Sequence, residues 1–234
     1  MVVSMKVLII GVTGRVGKRV AKLLADRGHE VVGINRRAHR VPVVLGEHSF
    51  ETYEVDALDA PALTQLVKGT DAVLFASIPT REEPQLFLTQ MRNVLDAIGA
   101  TSTDSRGAKP RLVALSGHYA LNAPDGQSML EASPPNVYFA ELEGTFAKQA
   151  DLVRACSTEH PELEWLLVAP AVETYPYGEY DGNFRVQADT IVVTDPANPH
   201  FKETSKISFE NLALFIADQI QQPTWHNALV SIGE

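Results

Sequence analysis

Apolar runs alternate with amphipathic segments along most of this chain. Residues 7–10 form a continuous apolar run, and apolar residues recur after it at Val16, Val20, Leu23 and Leu24. Such a run predicts a buried parallel strand, over 6–10, and the i, i+4, i+7, i+8 spacing predicts an amphipathic helix that ends near Arg27. Similar apolar runs predict strands at 30–34, 50–55, 71–76, 111–115, 165–168 and 228–232, and short strands or a hairpin at 184–186 and 191–193. Similar amphipathic patterns predict helices at about 60–68, 81–98, 139–157 and from Ser208 onward.

Strands and helices therefore alternate from one end of the sequence to the other. This order predicts an α/β fold with a doubly wound parallel sheet flanked by helices. A length of 234 residues suits one such domain, so we expect 1–234 to fold as a single unit.

The first strand-to-helix turn contains three glycines, Gly11, Gly14 and Gly17, at a G-x-x-G-x-x-G spacing. Gly11 permits a sharp turn, Gly14 lets a pyrophosphate approach the backbone, and Gly17 lets the helix lie close to the sheet. The N–H groups and the positive end of the helix dipole would then face the phosphates. Any tight turn favours glycine, but a strand before it and a helix after it favour dinucleotide binding.

The end of the second strand indicates which dinucleotide is bound. NAD-binding proteins place an acidic residue there, about 20 residues past the glycine turn, to hold the ribose 2′-hydroxyl. This chain has Asn35, Arg36 and Arg37 instead. Because a guanidinium fork suits a phosphate, the sequence predicts that NADP(H) is favoured over NAD(H); a solvated basic loop is the alternative.

Polar residues also follow the next strands, at the edge where open α/β sheets bind ligands. Asp56 follows the third strand and either binds the adenine amino group or serves as a turn or cap residue. Ser77 follows the fourth strand, and Ser116 and His118 follow the fifth; for His118 a surface loop position without a role in binding is the alternative. Ser116 lacks a base partner in sequence, so we interpret it as a residue that positions the nicotinamide or the acceptor rather than as a nucleophile.

Composition excludes several classes of partner. A net charge of −9 argues against a nucleic acid or an anionic membrane, and no apolar run approaches membrane-spanning length. The single cysteine, Cys156, excludes an internal disulfide, and no leader is evident, so we expect a cytoplasmic protein. No two histidines have metal-ligand spacing, so no metal site is predicted. The oligomeric state, monomer or homodimer, stays open.

Several of these segments resemble a known family. The turn 11–17, Asp56 and Ser116 resemble the atypical short-chain dehydrogenase/reductases. Segments 165–170, 178–186 and 205–208 resemble the NmrA-like NAD(P)H-binding proteins, especially the NADH-flavin reductases and biliverdin reductase B-like proteins. The resemblance implies a Rossmann-type sheet with a small substrate-side subregion at 171–206. It also implies an NAD(P)H-dependent oxidoreductase acting on a small aromatic acceptor, with FMN or FAD as a possible substrate.

The same resemblance assigns residues to each part of the cofactor and the acceptor. The pyrophosphate would lie against Gly11, Thr13, Gly14, Arg15 and Val16, and the 2′-phosphate against Arg36 and Arg37. The adenine would lie against Asp56 and Ala57, and the ribose and nicotinamide against Ala76, Ser77, Ser116 and Pro170. The acceptor would lie against His118, Tyr119 and Tyr175.

One departure from the family concerns the catalytic Tyr-x-x-x-Lys pair of most short-chain dehydrogenases. Here Leu142 stands four residues after Tyr138, and Gly144 stands four residues before Lys148. The missing pair disfavours a ketone reductase or an epimerase-like enzyme and favours reduction of a flavin or quinone. The alternative is a dinucleotide-binding redox sensor or regulator without turnover.

Overall fold

The computed structural model describes residues 4–36, 51–102, 108–135, 137, 140–198 and 200–234. Its strands are β1 (Lys6–Ile10), β2 (Glu30–Asn35), β3 (Glu51–Glu54), β4 (Ala72–Phe75), β5 (Arg111–Leu115), β6 (Trp165–Pro170), β7 (Glu173–Tyr175), β8 (Arg185–Ala188), β9 (Lys206–Ser208) and β10 (Ala228–Gly233). Its α-helices are α1 (Gly17–Asp26), α2 (Ala60–Val67), α3 (Pro84–Gly99), α4 (Met129–Ala132), α5 (Ala140–Glu159) and α6 (Phe209–Gln221).

Eight of these strands form one sheet in the order β3-β2-β1-β4-β5-β6-β10-β8. All neighbouring pairs are parallel except β10 and β8, which are antiparallel. The order reverses at β1, so β1 and β4 meet at a topological switch point, where doubly wound sheets bind ligands. The fold is therefore the Rossmann-like α/β fold that the sequence predicts.

The sheet separates two hydrophobic cores, one on each face. On one face Phe87 and Met91 of α3 and Val153 of α5 pack among the buried residues of the sheet. On the other face α1 and α6 pack together, with Val20 and Ile216 fully buried. Both faces are covered, and this explains why the central strands are continuous apolar runs rather than alternating ones.

The structure corrects the prediction for the C-terminal part. Residues 191–193 are not a strand, because the Val192 N–H donates to the Ser231 side chain at 2.9 Å and the Ile191 N–H donates to the Asn122 carbonyl at 2.9 Å. The expected hairpin is therefore absent, and β8 pairs with β10 instead. The sequence also missed a two-stranded parallel sheet formed by β7 and β9.

The start of α3 is a second correction. The sequence predicts this helix from about Arg81, whereas the structure begins it at Pro84. Proline fits the first turn of a helix, but it disfavours the helical conformation in the residue before it. Among the residues that the structure describes, no helix is long and apolar enough to cross a membrane.

Candidate functional site

The glycine turn after β1 is compressed between two neighbouring strands. Gly11 has φ +87°, and its N–H donates to the Ile34 carbonyl at 3.1 Å. A Cβ at Gly11 would lie 3.1 Å from the carbonyl oxygen of Ala76, and a Cβ at Gly17 would collide with the carbonyl oxygen of Gly11. These contacts require glycine at both positions, since α1 can approach the sheet closely only without side chains there.

The turn also presents unused donors. The Gly14 N–H donates to the Gly11 carbonyl at 2.9 Å. By contrast, within the described part of the chain, no acceptor is found for the backbone N–H groups of Thr13, Arg15 and Val16. These groups precede the first turn of α1, where the helix dipole favours an anion. The arrangement suits a phosphate group at the start of α1.

A cleft of about 360 Å³ opens next to this turn, at the carboxyl edge of the sheet. It brings together many of the residues that the sequence and the family resemblance assign to a cofactor, namely Gly11, Thr13, Gly14, Arg36, Ala57, Ala76 and Ser77. Its remaining lining is mixed: apolar residues such as Ile34, Val55 and Phe87 alternate with polar ones, namely Asn35, Thr80, Glu83 and Gln90. A cleft of this size that combines apolar walls with a few polar groups can hold a nucleotide.

Two residues of the glycine turn contribute through their backbone. Val16 is buried in the core beneath the turn, so its side chain faces away from any ligand. The Arg15 guanidinium lies 5.7 Å from the centroid of the Phe209 ring at the start of α6. Arg37 lies outside the described residues.

Asp56 is not among the described residues that line the cleft. Its Oδ1 accepts the Leu58 N–H at 3.0 Å and the Gln90 Nε2–H at 3.3 Å. The first bond is an Asx turn, which fits the turn alternative of the sequence analysis. Direct contact between Asp56 and adenine stays a prediction.

Ser116 occupies a buried position at the end of β5. It is 3% exposed, and its Oγ has no hydrogen-bond partner among the described residues. A buried hydroxyl without a partner is costly, and a bound ligand can supply that partner. On the adjacent strand, Pro170 ends β6. Ser116 and Pro170 are not among the described residues that line the cleft, and their contact with a cofactor or an acceptor stays a prediction.

The turn after Ser116 holds His118 and Tyr119 against a lysine that the sequence analysis did not single out. The rings of His118 and Tyr119 lie 4.3 Å apart. Lys202 donates from Nζ to the Tyr119 hydroxyl at 3.1 Å and to the Ser133 carbonyl at 3.3 Å. Burial, together with the Lys202 ammonium, lowers the pKa of His118 to about 4. His118 is therefore neutral at pH 7, and its imidazole can donate one hydrogen bond and accept another.

Tyr175 lies in β7, away from the described lining of the cleft. Its hydroxyl donates to the Glu234 carboxylate, and this bond raises the pKa of Tyr175 to about 12. The other oxygen of Glu234 accepts from the Ser208 Oγ at 2.9 Å and the Asn211 Nδ2 at 3.0 Å. Tyr175 is thus tied to the first turn of α6, and its contact with an acceptor stays a prediction.

The remaining sequence candidates do not form a catalytic pair in the described structure. Lys148 is exposed on α5, and Tyr138 lies outside the described residues. Among the described residues, no group of three or more His, Cys, Asp or Glu is placed to hold a metal ion.

Comparison with known proteins agrees with this geometry. The solved structure of a provisionally assigned NADH-flavin reductase from Streptococcus pneumoniae is 22% identical, with a TM-score of 0.77, over 99% of this chain and 100% of that one. A provisionally assigned epimerase from Bacteroides thetaiotaomicron is 20% identical, with a TM-score of 0.78, over 99% and 97% of the two chains. At these identities the structures establish the shared fold.

Sequence comparison extends to the family. The uncharacterized protein YwnB from Bacillus subtilis is 25% identical over 226 residues, which cover 95% of each chain. The model of the NAD(P)H-binding family matches residues 11–223, a span that begins at the glycine turn and ends before β10. The chain therefore belongs to the NAD(P)H-binding family.

Proposed function

We propose that this protein transfers hydride from NADPH to a flavin or a quinone. The observation that carries the proposal is an NAD(P)H-binding fold without the Tyr-x-x-x-Lys pair. Gly144 stands where a tyrosine would precede Lys148, and Lys148 itself is exposed. Such a site can orient an acceptor but lacks the Tyr-x-x-x-Lys pair with which most short-chain dehydrogenases protonate a strongly basic product.

The residues around the cleft have distinct roles in this proposal. The backbone from Thr13 to Val16 binds the pyrophosphate, and Arg36 binds the 2′-phosphate. Ser116 and Pro170 lie at strand ends where they would border the nicotinamide. The reduced nicotinamide supplies the hydride when it is bound.

The chemistry of the acceptor explains why no tyrosine is needed. Reduction of a ketone produces an alkoxide, so an enzyme must deliver a proton in or near the transition state. Hydride addition to flavin N5 leaves an anion spread over the ring, which solvent protonates afterwards. The protein must then mainly hold the acceptor ring against the nicotinamide at about 3–3.5 Å.

The acceptor side of the site would be formed by the 171–206 subregion and the turn after β5. Tyr119 is held by Lys202, which reaches it from the 201–204 turn. His118 is neutral because of its lowered pKa, and a neutral imidazole can donate one hydrogen bond to a carbonyl of the acceptor. The two residues thus provide a rigid aromatic and polar wall.

Steady-state NADPH oxidation with FMN, FAD, riboflavin, quinones and simple ketones tests the proposal. We expect turnover with at least one flavin or quinone and none with simple ketones. NADPH binding without turnover of any acceptor would overturn the enzyme assignment and support a dinucleotide-binding sensor. The Gly14→Val variant is the control, because it should fold but should not bind NADPH.

A further inference from the structure

Gln90 is the side-chain amide that α3 presents to the cleft. It lines the cleft next to Val55, Ala57 and Leu58, the segment to which the family resemblance assigns the adenine. A carboxamide combines one acceptor, Oε1, with two N–H donors on Nε2. It can therefore pair with a planar heterocycle through two hydrogen bonds, and its location at this end of the cleft makes the adenine ring the natural partner.

The orientation of this amide is set by Asp56. Nε2 of Gln90 donates to Oδ1 of Asp56 at 3.3 Å, and Oδ1 also accepts the Leu58 N–H at 3.0 Å. Rotation of the amide by 180° would place Oε1 against the carboxylate, where two acceptors repel each other. Asp56 therefore fixes which end of the Gln90 amide is the donor, and one N–H and Oε1 are left for a ligand.

The backbone of the same turn is held by a second amide on α3. Asn93 donates from Nδ2 to the Ala57 carbonyl at 3.0 Å and to the Leu58 carbonyl at 3.2 Å. Gln90 and Asn93 are one helical turn apart, so both face the 56–58 turn. The distance between α3 and the turn is thereby fixed, and Gln90 is held in place at the rim of the cleft.

We propose that Gln90 reads the adenine ring of the cofactor and that Asp56 acts on the base only by orienting the Gln90 amide. Adenine presents an amino donor beside a ring-nitrogen acceptor, and a glutamine amide matches that pair with two hydrogen bonds. Hypoxanthine presents the opposite pattern on its Watson–Crick edge, a carbonyl acceptor beside a ring N–H donor. Because Asp56 holds the Gln90 amide in one orientation, the amide can form both hydrogen bonds with adenine but not with hypoxanthine.

The inference rests on the proposed placement of the nicotinamide cofactor in this cleft and is independent of the acceptor. Its test measures equilibrium binding of NADPH and of the hypoxanthine analogue of NADPH by fluorescence titration. The wild type is expected to bind NADPH at least about tenfold more tightly than the analogue, because the analogue would leave two hydrogen bonds unmade.

Three variants separate the roles of the residues. Gln90→Leu should lose about tenfold in NADPH affinity and bring the ratio of the two affinities close to one. Asp56→Asn should also lower the ratio, because the Gln90 amide can then invert, but it should weaken NADPH binding less. Gln85→Leu, a substitution at an exposed position on the same helix, should change neither quantity. Thermal unfolding of each variant confirms that the fold is retained.

The outcomes distinguish this inference from the proposed function. If Gln90→Leu retains the full preference for adenine, the inference is overturned. A wild type that binds both cofactors equally also overturns it. A wild type that binds NADPH selectively but reduces no acceptor would contradict the proposed function and leave the role of Gln90 supported. A wild type that binds neither dinucleotide would overturn both.

Discussion

Arg36 places a positive charge in the cleft where NAD-specific proteins have an acid. A charge-assisted contact with the 2′-phosphate contributes roughly 1.5–3 kcal/mol, or about tenfold to a hundredfold in affinity. We therefore expect the wild type to bind NADPH more tightly than NADH, and the Arg36→Ala, Arg37→Ala double variant to lose this preference. Titration of NADPH and NADH into both proteins measures this preference. Equal affinities of the wild type for the two cofactors would contradict the prediction.

Gly14 borders the cleft at the point where a pyrophosphate would pass. A Cβ there would lie 3.1 Å from the Gly11 carbonyl oxygen, so the turn must yield by a few tenths of an ångström to accept a side chain. Gly14→Val should therefore fold but lose dinucleotide binding, because its methyl groups occupy the path of the ligand. Circular dichroism and NADPH titration together test this. Normal NADPH binding by a folded variant would place the pyrophosphate elsewhere.

His118 makes folding stability depend on pH. Its pKa in the folded protein is about 4, below the ordinary value of 6.5, so the unfolded chain takes up the proton first. The contribution of His118 to stability is complete above pH 6.5 and is lost as the pH falls toward 4. Between pH 7 and pH 5 the loss is about 2 kcal/mol.

Urea unfolding of the wild type and His118→Gln at pH 7 and pH 5 measures this contribution. The other titrating groups are shared by both proteins, so the variant should lose about 2 kcal/mol less than the wild type over this range. Equal losses in the two proteins would show that His118 is accessible to protons in the folded state.

At the scale of elements, α1 and α6 are joined by two ion pairs of different burial. Glu210 at the start of α6 is 8% exposed and accepts the Arg19 Nε–H at 2.8 Å; its other oxygen accepts the Gly178 N–H at 3.1 Å. Asp218, near the end of α6, pairs with Arg27 at 2.7 Å at a more exposed position. The buried pair thus holds α1, α6 and the 171–206 subregion together.

Removal of the carboxylate should lower the free energy of unfolding much more for the buried pair than for the exposed pair. Glu210→Ala leaves the Arg19 charge and the Gly178 N–H without their partner and should destabilise the protein by about 3–5 kcal/mol. The matched variant Asp218→Ala breaks an exposed pair and should cost about 1 kcal/mol or less. Chemical denaturation compares the two, and similar losses would show that the buried pair does not hold these elements together.

At the scale of the whole molecule, the proposed reaction depends on geometry rather than on a proton donor. Tyr138→Phe and Lys148→Ala should retain most flavin-reducing activity. Ser116→Leu should reduce it far more, because Ser116 is buried at the end of β5, where the proposal places the nicotinamide. Ser116→Ala, which adds no volume, tests the hydroxyl alone. Rates with FMN and with simple ketones measure these effects. Ketone reduction that is lost in Tyr138→Phe would restore an ordinary dehydrogenase mechanism.

The sequence by itself determined the glycine turn and the order of the strands and helices up to β6. These features depend on neighbours within a few residues: the 7–10 run, the spacing from Val16 to Leu24, and the glycines at 11, 14 and 17. The periodicity of hydrophobic residues and the positions of glycines can be read directly from the sequence. The structure has the predicted strand, turn and helix there, as β1, the glycine turn and α1. The doubly wound sheet follows from that order because parallel crossovers have one hand.

Only the tertiary structure decided which distant side chains meet. Lys202 reaches Tyr119 across 83 positions, Arg19 reaches Glu210 across 191, and Gln90 reaches Asp56 across 34. The pattern at 191–193 predicts a strand, but the backbone hydrogen bond of Val192 goes to the side chain of Ser231. Hydropathy shows that a residue is buried but not which donor or acceptor it meets. These partnerships arise only when crossover connections bring separate elements to the same edge of the sheet.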